Sequence, residues 1–294
     1  MYGGTFYIIL IVVTLALGLG TQGYIKLGIM GIAAIMFPAT GLWIDNLHGL
    51  FGIRELPSYI GMPLTVLLVF YITEAFSLLD GIDGLSCGVS SIMLVTFLVF
   101  SVLNNSVLIS FVGAATLGVT IPFCFMSLSR KKWRNTMTGN SGAYILGYIV
   151  SYHTIALSHS ERMPEGMLMI CIGALFVPMI DIIRVIRGRV SDHRILDRPD
   201  RNQLNHLLVR TGLPLVMIPF AILCLMGIFV MVNTFGVFAH WNPNVLLLLD
   251  VILWVVIRFI IHYYIQKNES KGYYKNWEMA YGEDSWNANV PHRS

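Results

Sequence analysis

Charge is what this sequence has least of. Only 12% of its 294 residues are Asp, Glu, Lys or Arg, against roughly 25% in a soluble domain. A water-soluble fold of this length needs a charged shell, and the chain lacks the residues to build one. No Asp or Glu precedes Asp45. Cysteine is also scarce. Cys87, Cys124, Cys171 and Cys224 stand singly in or at the edge of apolar runs, without the paired spacing of a metal site, and read as packing residues. There is no low-complexity linker and no internal repeat. The missing repeat argues against a transporter built from inverted halves.

Apolar residues make up 56% of the chain and fall in long runs between short polar stretches. A helix of about 20 apolar residues crosses the ~30 Å hydrocarbon core, because each residue rises ~1.5 Å. The runs are too long for strands and do not alternate. The fold class expected is all-α, a polytopic transmembrane helix bundle of about nine spans. These lie near residues 5–20, 25–43, 58–79, 86–103, 107–127, 138–158, 166–186, 213–233 and 244–265. The first is short and, with no basic start, does not read as a signal peptide. Residues 1–266 then form one membrane domain, and 267–294 a polar, aromatic tail.

Lys and Arg gather on the cytoplasmic side of membrane proteins. Counted alternately, one side holds Arg130, Lys131, Lys132 and Arg134, then Arg187, Arg189, Arg194, Arg198, Arg201 and Arg210, then Lys267, Lys271 and Lys275. The other holds Arg54 and Arg162. The expected orientation is amino terminus outside, tail and basic loops in the cytoplasm. Basic loops tied to membrane spans do not imply nucleic acid.

Three stretches on the basic side carry chemistry. Leu79-Asp80-Gly81-Ile82-Asp83-Gly84 ends the third span. Its two carboxylates are three residues apart, and Glu74 and Ser77 extend their face along the helix. Carboxylates at a membrane edge are costly unless paired or bound to a cation, and Mg²⁺ takes one or two carboxylates plus substrate phosphates. A polar turn is the plain alternative. Thr138-Gly139-Asn140-Ser141-Gly142 opens the sixth span. A helix start there suits a phosphate, with an N-cap as the alternative for Asn140 or Ser141. The loop from Arg187 to Arg210 gathers Arg201, Asn202 and His206. Arg forks pair with phosphate oxygens, and His206 is suited to phosphate binding or proton transfer. Elsewhere, Asp250 and Arg258 stand eight residues apart in the last span, as a buried pair or as side chains reaching to the span's ends. Asp181 and Arg184 are spaced to pair at i, i+3.

Asp80-Gly-Ile-Asp-Gly-Leu85 with Gly88 closely resembles the central motif of the polyprenyl-phosphate N-acetylhexosamine-1-phosphate transferases, glycosyltransferase family 4. Gly139-Asn-Ser-Gly-Ala-Tyr-Ile-Leu-Gly147 is similar to that family's Gly-Asp-x-Gly segment. Val177-Pro-Met-Ile-Asp181 with Arg184 looks like the segment before its basic loop, and Pro199-Asp-Arg-Asn202 with His206 falls at its His-rich signature. Ile44 to Pro57 resembles its extracytoplasmic hairpin. The resemblance runs from about Lys26 to Asn233. It implies transfer of a sugar-1-phosphate from a UDP-N-acetylhexosamine to polyprenyl (undecaprenyl) phosphate with loss of UMP, in a bacterial inner membrane. It implies Mg²⁺ as cofactor. It further implies Asp80, Asp83 and His206 in catalysis, Asp83 and Asn140 toward the metal, and Glu74, Ser77, Asn140, Ser141, Arg201 and Asn202 toward substrate. The expected partners are the lipid phosphate, the UDP-sugar and the membrane, with a homodimer as the assembly and no nucleic acid.

The sequence also departs from the family pattern. An adjacent Asp pair and the family's first helices have no counterpart before Asp45. Asn140 stands where the family has Asp, Glu74 and Ser77 where relatives have Asn, and Gln203 and Asn205 where they have His. An amide brings no negative charge to a cation and cannot act as a base. The alternative expectation is therefore a catalytically impaired member that binds lipid phosphate or a partner. From another class, a small transporter or lipid-binding protein would use Glu74 as a buried acid.

Overall fold

The computed structural model describes residues 23–80, 84–127, 139–158, 166–192, 204–214 and 217–270. Among them the chain is helical throughout, with one isolated antiparallel bridge between Asn46 and Glu55 and no strand. The helices are α1 (Gly23–Ala39), α2 (Ser58–Leu79), α3 (Leu85–Leu103), α4 (Val107–Ser127), α5 (Gly139–Ser158), α6 (Met167–Asp192), α7 (Leu204–Arg210), α8 (Ile218–Phe238) and α9 (Pro243–Ser270).

Among the described residues, five helices are long and apolar enough to cross a membrane: Ser58–Ser77 within α2, then α3, α4 and α8, and Pro243–Asn268 within α9. The apolar parts of α1 and α6 are shorter, Gly28–Ala39 and Leu168–Asp181. Of the nine spans expected, these five meet the criterion, and residues 5–20 lie outside the described ones. The eighth begins five residues later than expected, at Ile218 rather than near 213. Pro219 sits in its first turn, where a missing N–H costs nothing.

Helices α4 and α9 lie at the periphery with most of their apolar surface uncovered, including Phe111, Val119 and Phe125 on α4 and Val251, Val255 and Phe259 on α9. That is the surface a bilayer covers. Helix α5 is the opposite case: it packs mainly against α2 and α3, and also touches α4 and α6. It buries Ser151, His153, Thr154 and Ser158. In an apolar surround each polar group needs a partner. The three hydroxyls turn back to backbone carbonyls of their own helix, Ser151 to Gly147 at 2.7 Å, Thr154 to Val150 at 2.9 Å and Ser158 to Ile155 at 2.9 Å. His153 has its ring nitrogens 2.8 Å from the Ile149 carbonyl and 3.2 Å from that of Ile109, and stacks on Phe97.

The α2–α5 crossing is close because Gly147 has no side chain. A Cβ there would lie 2.8 Å from the Thr73 Cα and 3.3 Å from the Phe76 Cβ. Backbone cannot step aside as a flexible side chain can. Gly147→Val is expected to destabilise the fold by about 1–3 kcal/mol or more, read as a lower thermal midpoint of the detergent-purified protein. An unchanged midpoint would mean that the two helices do not meet there.

One end of the bundle is closed by a hairpin. Leu47 N–H donates to the Arg54 carbonyl at 2.8 Å and Leu56 N–H to that of Asp45 at 2.7 Å. Its base is tied to α2 through the buried Thr65 hydroxyl, which receives the Ile44 N–H at 2.9 Å. Its tip is tied to α9, where the Asn244 side chain accepts from Phe51 N–H and donates to the Gly49 carbonyl. The other end carries the Asp80–Gly84 turn, the start of α5 and α7.

Candidate functional site

Helix α2 ends at Asp80, whose N–H still donates to the Phe76 carbonyl at 3.1 Å. The chain re-enters α3 through Gly84 at φ 75°, a left-handed conformation that favours glycine. Asp80 is half-buried, and the Ser86 hydroxyl, in the first turn of α3, donates to its Oδ1 at 3.0 Å. This bond holds the third-span carboxylate against the first turn of the next helix.

The antiparallel register of α2 and α5 orders the rest. Thr73 meets Gly147. One turn nearer the Asp80 end, Ser77 and Glu74 of α2 lie within interaction range of the Tyr144 hydroxyl. One turn further, the same register carries Asp80 to the level of Ser141. Glu74, Ser77 and Ser141 are all half-buried.

Helix α7 arrives from the other side. A cleft is lined by Leu79, Leu85, Val177, Pro178, Asp181, Leu204, Ile222 and Met226. Leu79 and Leu85 flank the Asp80–Gly84 turn, and Leu204 is the first residue of α7, the helix that carries His206. Thus the end of α2, the start of α3 and the start of α7 share one cleft, and the start of α5 adjoins α2. Asp83, Arg201 and Asn202 lie outside the described residues, as do the side chains of Asn140, His206 and Arg184.

Three contributors had not been assigned a place in the site. Tyr144 reads in sequence as one more aromatic on an apolar helix, although its i+3 spacing from Ser141 put it on the same face. Ser86 follows directly on the motif. Asp181 accepts the Leu204 N–H through its Oδ1 at 3.0 Å, while the side chain of Arg184, its expected partner, lies outside the described residues.

The donors are oxygen atoms throughout, the kind Mg²⁺ takes. No group of three His, Cys, Asp or Glu able to hold a metal occurs among the described residues. A cation at Asp80 would thus need Asp83, Asn140 and substrate phosphates to complete its shell, as Mg²⁺ sites commonly do.

The sequence model of glycosyl transferase family 4 matches residues 5–158, more than half of the chain. The chain belongs to glycosyl transferase family 4. The matched stretch takes in α1 to α5, and with them both the Asp80–Gly84 turn and the α5 start. A Bacillus subtilis relative named "Probable undecaprenyl-phosphate N-acetylglucosaminyl 1-phosphate transferase" is 31% identical over 190 residues, covering 64% of this chain and 51% of the relative. The undecaprenyl-phosphate alpha-N-acetylglucosaminyl 1-phosphate transferases of Yersinia pestis and Shigella flexneri are both 24% identical, over 248 and 245 residues. Those alignments cover 79% of this chain and 67% and 66% of the relatives. The chain thus spans between half and two thirds of the length of the family 4 transferases it matches.

Proposed function

We propose that this family 4 protein transfers N-acetylhexosamine 1-phosphate, with N-acetylglucosamine as the first sugar to test, from a UDP-sugar to undecaprenyl phosphate, and so begins a cell-surface glycan. The observation that carries the reading is the register that sets Glu74, Ser77 and Asp80 of α2 against Tyr144 and Ser141 of α5, beside the cleft where α7 begins. The relatives' names supply the substrates. A bundle with an uncovered apolar surface and polar groups gathered at one end suits an acceptor whose tail is lipid and whose head is phosphate.

In the proposed reaction an oxygen of the lipid phosphate attacks the phosphorus that bears the sugar. The bond from that phosphorus to the UMP oxygen breaks, UMP leaves with the electron pair, and the sugar phosphate remains on the lipid as a diphosphate. Mg²⁺, held by Asp80, Asp83 and Asn140, would supply charge neutralisation at the diphosphate. Asp80 is oriented by Ser86, and Asp83 serves the metal or the proton of the lipid phosphate. Arg201, Asn202 and His206 bind phosphate or sugar, and Ser77, Tyr144 and Ser141 offer hydroxyls where α2 and α5 meet. The excess of Lys and Arg in the loops supports a cytoplasmic position for this end, in a bacterial inner membrane.

The test is UMP release by the purified protein in detergent with undecaprenyl phosphate, UDP-N-acetylglucosamine and Mg²⁺. Release is expected to require the lipid and to vanish in Asp83→Asn. A folded sample that binds lipid phosphate but releases no UMP from any UDP-N-acetylhexosamine would overturn the proposal.

A further inference from the structure

Asp181 is a buried carboxylate, 7% exposed, on the wall of the cleft below the Asp80–Gly84 turn. Its surroundings come from four helices. Its Oδ1 accepts the N–H of Leu204, the first residue of α7, at 3.0 Å. From α2, the Tyr71 hydroxyl donates to the carbonyl of Met179, two residues before it, and Tyr71 and Asp181 interact electrostatically. From α9, Arg258 lies close enough to attract its charge. Pro178, inside α6, has no N–H to give to the carbonyl one turn back.

The first N–H groups of a helix have no partner within it, and a helix of seven residues is too short to stand alone. What holds α7 must come from outside. Leu204, Leu207, Leu208 and Val209 are buried and supply the apolar side of the docking. Burial alone leaves a short helix free to slide and turn. A charge-assisted bond at its first N–H fixes both its height and its rotation.

We infer that Asp181 is a positioning residue: from α6 it caps the start of α7 and so sets the place of the helix that carries His206. The inference rests on the proposed transferase reading for the role of His206. The cap itself stands on the geometry alone.

The experiment is hydrogen exchange of the full chain in detergent, comparing wild type with Asp181→Leu and Asp181→Asn. Leucine removes the acceptor at similar size, whereas asparagine keeps an oxygen in place. In Asp181→Leu the peptide over Leu204–Arg210 is expected to exchange about tenfold faster or more, with peptides from α3 and α5 unchanged. In Asp181→Asn it is expected to stay within about threefold of wild type. Equal exchange at Leu204–Arg210 in the leucine variant and wild type overturns the cap. If the leucine variant loosens everywhere, Asp181→Ala serves as a second variant without the acceptor: fast exchange confined to α7 there upholds the cap, and wild-type protection of α7 overturns it. Transfer kinetics add the second reading, with kcat reduced about tenfold or more in the leucine variant, the KM for lipid little changed, and asparagine restoring kcat. A wild-type protein without transfer would sink the transferase reading and leave the exchange result to judge the cap.

Discussion

Asp80→Asn is expected to lower UMP release by about 100-fold or more, the largest loss for any single change in the described site. Asparagine matches aspartate in size and can still accept the Ser86 hydroxyl that now meets Oδ1 at 3.0 Å. The turn should therefore persist and only the negative charge be lost. Ser86→Ala makes the complementary change, keeping the charge and removing its orienting bond. Its expected cost is less than about tenfold, the scale of one hydrogen bond. Initial rates of UMP release compare the two. Equal losses would mean that orientation matters as much as charge. A wild-type rate in Asp80→Asn would move the chemistry away from the α2–α3 turn.

Asn233→Ala should have the largest effect on stability. Asn233 and Asp250 are both 0% exposed. The Asn233 Nδ2 donates to both carboxylate oxygens of Asp250, at 2.9 and 3.0 Å, and lies 3.0 Å from the Phe229 carbonyl. Across from it, Gly173 of α6 leaves room for the amide, since a Cβ there would collide with the Asn233 side chain. Alanine at 233 strips a buried carboxylate of this donor, at a cost of about 3 kcal/mol or more. Adding Asp250→Leu removes the group that needs the donor and should recover much of the loss. Thermal midpoints in detergent read both variants. A single variant as stable as wild type would mean that the pair does not hold α8 to α9.

The helices were largely legible because their ends are marked by chemistry. The boundaries expected for the third and fifth spans, 58–79 and 107–127, coincide with α2 and α4. Pro57 precedes one and Asn104-Asn105-Ser106 precede the other, and such residues interrupt apolar runs on any reading. Helix α7 went unread, since seven residues are too few to show a period and its place depends on Asp181. The start of α8 was set too early because Leu213 is apolar and its turn context is tertiary.

Spacing within one helix also said little about partners. Asp250 and Arg258 invited comparison because they share α9. Asp250 instead bonds to Asn233 of α8, and Arg258 interacts with Asp181 of α6. At the site, the motif turn and the α5 start were legible as residues that an apolar helix would not otherwise carry. Tyr144 was not, because an aromatic in a membrane helix needs no explanation until its hydroxyl is seen against Ser77.

The polar interior of α5 bears on how the protein is made. Helix α5 is absent from the set apolar enough to cross by composition, and a segment holding Ser151, His153, Thr154 and Ser158 partitions poorly into lipid on its own. Helices α2, α3 and α4 all precede it in the chain. During synthesis they reach the bilayer first, and α5 enters against walls already standing rather than against lipid. Residues of α2 and α3 that face α5 thereby act twice, once in the finished bundle and once as the port of entry for a helix that the membrane alone would turn away.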